Sequence, residues 1–167
     1  MRLRIDITTL LEGRTVEWER LEFKKGWNPF DALHTLCAFA NDFHNLGGGY
    51  LVIGVAEQDG RPVLPPEGLD PASFDRKQKE ILNLGQTAIQ PPYHPIVVPH
   101  EIEGRHVLVL WPPGGQTRPY RAKTTLAKGN RDYAWFNRKE SSTVRARGAD
   151  ETERSWADRC TSSAAPR

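Results

Sequence analysis

Two periods of apolar residues alternate along this chain, and most of their boundaries fall at glycine or proline. Ile5, Leu10 and Leu11 precede Gly13 and predict a short helix from Ile5 to Glu12, stopped by glycine. Trp18 to Lys24 reads as a strand. Leu21-Glu22-Phe23-Lys24 alternates cleanly, which turns Leu21 and Phe23 inward and Glu22 and Lys24 outward. Asn28-Pro29 supplies a cap and a proline for the first helical turn. Phe30, Leu33, Cys37, Ala40 and Phe43 or His44 then share one helical face. This helix is predicted from Pro29 to about His44, ending at Asn45 and Gly47-Gly48-Gly49. Tyr50 to Val55 is a continuous apolar run, the pattern of a short central strand, and Glu57-Gln58-Asp59-Gly60 is its hairpin turn.

Asp70-Pro71 repeats the cap-plus-proline device and opens a helix to about Ala88, with Phe74, Ile81 and Leu84 as its core contacts. Pro91-Pro92 ends that segment. Ile96–Ile102 and His106–Trp111 are predicted strands joined across Glu103-Gly104, and Tyr133–Phe136 is a last strand. Thr143 to Arg147 is expected to begin a helix. The elements define an α+β fold: a mixed or mostly antiparallel sheet with helices packed on it, one domain over residues 1–147. From Gly148 the chain turns to charged residues, Ser and Ala, and residues 148–167 are expected to form a disordered tail.

Composition changes this picture little. A hydrophobic content of 38% in 167 residues suits one core. The only cysteines, Cys37 in an apolar run and Cys160 in the tail, make a poor disulfide framework. No apolar stretch approaches the ~20 residues that span a bilayer, and the N-terminus lacks an apolar region of signal-peptide length. A cytoplasmic protein without membrane contact is expected. The histidines match no zinc spacing, and no Gly-x-x-x-x-Gly-Lys run supports a nucleoside triphosphate site.

Charge is informative in its distribution. The net charge is only +2, but Arg118, Arg121, Lys123, Lys128, Arg131, Arg138, Lys139, Arg145 and Arg147 crowd the C-terminal third against Asp132 and Glu140. Tyr120, Tyr133, Trp135 and Phe136 are interleaved with them. Such cations neutralise phosphates and release counterions, and aromatic faces stack on unpaired bases. The plainer alternative is a solvated edge whose aromatics belong to the core. Gly47 to Gly49 likewise admit two roles, a phosphate cradle or a tight turn from helix to strand. The turn is preferred, because phosphate cradles precede helices.

Four ordered blocks carry a family resemblance. They are Glu17-Trp18-Glu19-Arg20-Leu21-Glu22-Phe23-Lys24; Cys37-Ala38-Phe39-Ala40-Asn41 with Gly47-Gly48-Gly49-Tyr50-Leu51-Val52-Ile53-Gly54-Val55; Pro119-Tyr120-Arg121; and Trp135-Phe136-Asn137-Arg138 through Ser142-Thr143-Val144-Arg145-Ala146. Together they resemble the Schlafen-type AlbA domain of the second AlbA family, a DNA-binding module. The chain departs from the pattern in the longer link from Asp42 to Leu46 and in the loose fit between Tyr120 and Tyr133.

The resemblance implies a nucleic-acid-binding domain, for DNA or RNA, with low sequence selectivity and no cofactor. Its expected surface is Arg118, Tyr120, Arg121, Lys123, Lys128, Arg131, Arg138 and Lys139. Some relatives are ribonucleases with three carboxylates, which here fall on Glu17, Glu22 and either Glu57 or Asp59. That alternative is an endoribonuclease acting on tRNA-like substrates, with Glu17, Glu22 and Glu57 holding Mg²⁺ or Mn²⁺. Glu17 and Glu22 converge only if Glu17 precedes the strand or a bulge intervenes. A third reading is a protein-interaction module within a homodimer or larger assembly.

Overall fold

In the computed structural model, residues 6–12 and 20–146 are described. The elements are α1 (Ile7–Glu12), β1 (Leu21–Lys24), α2 (Pro29–Asn41), β2 (Tyr50–Ile53), β3 (Glu57–Gln58), β4 (Arg61–Pro62), α3 (Phe74–Thr87), β5 (Ile89–Gln90), β6 (Ile96–Ile102), β7 (Arg105–Trp111), β8 (Arg121–Lys123), β9 (Tyr133–Lys139) and β10 (Ser142–Arg145). Trp18, Arg147 and the 148–167 segment lie outside the described residues.

Both long helices start where the cap chemistry predicts. Asn28 Oδ1 accepts from the backbone N–H of Phe30 at 3.0 Å and of Asp31 at 3.5 Å, and Pro29 fills the first turn. Asp70 caps a single 3-10 turn, Pro71–Ser73, that leads into α3. α2 ends at Asn41, short of His44, because Asp42 takes the left-handed conformation with φ 42°. The Asp42 carboxylate then accepts the N–H groups of Leu46 and Gly47 at 2.8 and 2.9 Å, which builds the link to β2 locally.

The first sheet has the order β1-β2-β7-β6 and is mixed, with β1 parallel to β2 and the other pairs antiparallel. The second, β10-β9-β8-β5, is antiparallel throughout, and β3-β4 is a separate hairpin across Asp59-Gly60. Both faces of the first sheet are covered. Tyr50 and Val52 of β2, with Val107 and Val109 of β7, join Ile7, Leu11, Leu21 and Phe23 in one cluster. Leu51, Ile53, Leu108 and Leu110 join α2, α3 and the second sheet in the other. That is why β2 reads as an unbroken apolar run.

Two further expectations are overturned. The alternation in β1 is real, but its second face meets α2 and the second sheet instead of water, so Glu22 is 7% exposed. Thr143 onward is strand β10, paired with β9 through Thr143 opposite Arg138 and Val144 opposite Asn137. The Ser-Thr sequence that resembles a helix start follows a hairpin turn in which Glu140 has φ 53°, and the β-branched Thr143 and Val144 then continue the ladder. β5 and β8, two and three residues long, carried no periodic signal and went unpredicted.

Candidate functional site

Register on the second sheet puts two of the C-terminal cations on one face. Across β8 and β9, Arg121 lies opposite Trp135 and Lys123 opposite Tyr133, so these four side chains share one face. Ala122 and Ala134, opposite each other, are buried on the other face. β5 adds Gln90, opposite Arg121. Between β8 and β9 the chain is held by Asn130, whose Nδ2 donates to the Thr125 carbonyl at 3.0 Å while its Oδ1 accepts from Asp132 N at 3.1 Å. This loop presents Arg131 and Asp132 beside the sheet.

The outcome is an open concavity of about 650 Å³ lined by Arg121, Lys123, Arg131 and Arg145, with Tyr133, Asp132 and Gln90 among them. The Arg121 guanidinium stands 5.6 Å over the Tyr133 ring, and its Nε donates to Gln90 Oε1 at 3.2 Å. None of the four cations forms an ion pair among the described residues. One carboxylate therefore faces four positive charges, an arrangement that attracts anions.

The other cations and Tyr120 are placed differently. Arg118 Nη1 donates to the carbonyls of Asn41 and Asp42 at 3.3 and 3.1 Å and to Asn45 Oδ1 at 2.8 Å, so it satisfies the end of α2. Tyr120 is buried, stacked edge-on against Tyr93. Arg138, 4% exposed, donates to Glu22 Oε2 and to Thr143 Oγ1, the latter at 3.1 Å, and lies 5.2 Å over the Phe39 ring. The hydrogen bonds and packing of these three residues are made within the fold. Lys128 and Lys139 are exposed but do not line the concavity. Gln90 was not anticipated, since nothing in the sequence links it to Arg121 until β5 pairs with β8.

Among the described residues, Glu22, Glu57 and Asp59 do not form one metal-binding group. Glu22 is bound by Arg138 and, through Oε1, by Lys24 Nζ at 2.9 Å. Glu57 Oε2 accepts Gly60 N–H at 2.8 Å in the β3-β4 hairpin, and Asp59 occupies its turn with φ 53°. Glu17 lies outside the described residues. Among the described residues, no group of three His, Cys, Asp or Glu is placed to hold a metal ion.

Gly48 and Gly49 are packing positions. A Cβ on Gly48 would fall 1.9 Å from the Pro112 carbonyl oxygen, and one on Gly49 would fall 2.3 Å from the Phe39 ring. His34 supports the site from behind. Its ring stacks on Phe136 at 4.0 Å, and Nε2 bonds to the Lys123 carbonyl at 2.9 Å. A carbonyl only accepts, so Nε2 carries the proton. Burial lowers the imidazole pKa below its ordinary value.

No helix among the described residues is long and apolar enough to cross a membrane. The chain is similar to the solution structure of the N-terminal domain of a Nitrosomonas europaea protein described as related to the ATP-dependent DNA helicase RecG. The likeness has a TM-score of 0.58 at 28% identity and covers 89% of this chain and 95% of that one. A crystal structure of a Corynebacterium diphtheriae protein shares the fold with a TM-score of 0.53 at 17% identity, over 93% of this chain and 32% of that one. No curated protein matches the chain significantly. The family model for Schlafen, AlbA_2 matches residues 17–147, most of the chain including the second sheet and its cations, and on that match the chain belongs to the Schlafen AlbA_2 family.

Proposed function

We propose that this domain binds nucleic acid, DNA or RNA, with low sequence selectivity, through the concave face of the second sheet. The observation that carries this reading is the set of four cations, Arg121, Lys123, Arg131 and Arg145, that line one concavity with no ion pair of their own among the described residues. Phosphate contacts of this kind supply affinity without reading sequence. Family membership supports it, as does the likeness to the N-terminal domain of a helicase-related protein. Both oxygens of Glu22 are held by cations, which favours binding over hydrolysis at that carboxylate. A cytoplasmic location fits the free thiol of Cys37.

Binding of labelled RNA and DNA is measured from low to moderate salt, with Mn²⁺ or EDTA. Four phosphate contacts predict a slope of log K against log salt of about −3 to −4. Arg131→Gln lowers affinity for all sequences and flattens the slope by roughly 1. Binding that ignores salt would remove the proposal and favour a protein partner. Metal-dependent cleavage would restore the ribonuclease reading and make Glu17 and Glu22 the next substitutions.

A further inference from the structure

We infer that the face of the second sheet that carries Arg121 and Lys123 receives an unpaired, single-stranded segment, with bases on Tyr133 and Trp135, in preference to a duplex. The inference rests on the nucleic-acid reading and deepens it. A clamp for duplex backbone needs only cations and amide donors, and this surface holds more. Tyr133 and Trp135 are alternate residues of β9 on the cation-bearing face, each part-exposed, each with a cation directly across the ladder. Alternate strand residues rise about 6.6 Å. Successive bases within a duplex strand rise 3.4 Å and cover one another's faces. Rings at twice that spacing match bases pulled apart in an extended strand, and in a duplex those base faces are not available.

The polar lining adds contacts for base edges. Asp132 repels phosphate, yet its carboxylate lines the concavity with Arg131 and accepts no hydrogen bond among the described residues. It suits the exocyclic amine of a base, an edge contact that a clamp for phosphates alone does not need. Gln90 is fixed in orientation, because Arg121 only donates and so must face Oε1. The Gln90 amide nitrogen is left to donate to a base carbonyl or ring nitrogen. Cations for the backbone and an acceptor–donor pair for base edges serve either form, and the rings for base faces select the unpaired strand.

The test compares a twelve-nucleotide single strand, of mixed sequence without self-complementarity, with the blunt duplex of the same length, using the full chain. Single strands are expected to bind at least about 10-fold more tightly. Loss of one stacked base costs about 5- to 150-fold, so Tyr133→Ala should weaken the single strand by that range and leave the salt slope unchanged. Protein fluorescence should be quenched on binding, less so in Trp135→Phe, which keeps an aromatic platform. The quenching arm needs only the native chain and Trp135→Phe, so it decides the matter even if Tyr133→Ala fails to fold. Equal or tighter duplex binding, or quenching unchanged in Trp135→Phe, would overturn the inference and leave the wider proposal intact. If neither nucleic acid binds at low salt, both fall.

Discussion

Arg138 and Glu22 meet in the interior, where each charge is tolerated only because the other is present. Both are more than nine-tenths buried, with Lys24 and Thr143 completing the cluster. Removing one partner from such a pair leaves an uncompensated buried charge and typically costs about 3–5 kcal/mol. Glu22→Gln is therefore expected to lower the unfolding free energy in urea by about that amount. A loss below about 1 kcal/mol would show that the pair contributes little to the fold. This substitution is also the natural one for testing hydrolysis. Its effect on stability must therefore be measured before any loss of activity is given a chemical cause.

At the scale of elements, α2 is the piece on which the candidate site leans. It packs along β9 and touches β2, β8 and β10. Asn41 ties its end to the second sheet, donating from Nδ2 to the carbonyls of Tyr120 and Phe136 at 2.9 Å each and accepting Tyr120 N–H at 2.7 Å. His34 joins the same helix to β8 through the Lys123 carbonyl. Its pKa is lowered, chiefly by burial, from an ordinary value near 6.5. Above that pH both folded and unfolded chains hold it neutral. As pH falls through 6.5 the unfolded chain takes up the proton first, so stability drops until the folded-state pKa is passed. The fall in melting temperature between pH 7.5 and 5.5 is expected to be smaller in His34→Gln than in the parent. An unchanged difference would mean other groups set the pH response.

For the whole molecule, one buried cluster joins the first sheet, α2, α3 and the second sheet, so the two sheets are expected to unfold as one unit. Cys37 sits in the middle of the larger cluster, fully buried, and burial pushes its thiol up to about 12. In a Cys160→Ser background, Cys37 should resist thiol reagents at pH 8 and become reactive only in step with global unfolding. Modification well before the spectroscopic transition would reveal that α2 opens on its own. The net charge of +2 gives the molecule as a whole little attraction for polyanions, so affinity must come from the local gathering of cations.

The sequence by itself determined the local structure. Caps at Asn28 and Asp70, hairpin turns at Asp59-Gly60 and Glu103-Gly104, and the apolar run at Tyr50 are decided within a few residues, and each is where it was predicted. The resemblance to the Schlafen-type AlbA domain was legible for the same reason, since its blocks are short and contiguous. What only the tertiary structure decided was which charges are free. Glu22 alternates like a solvent-facing residue, and Arg118 and Arg138 look in sequence like Arg121 and Arg131. Whether a cation is spent on a helix end, on a buried carboxylate or on an open surface depends on what the register of β8, β9 and β10 and the packing of α2 set opposite it. Those partners lie tens of residues away, and periodicity along one strand carries no record of them.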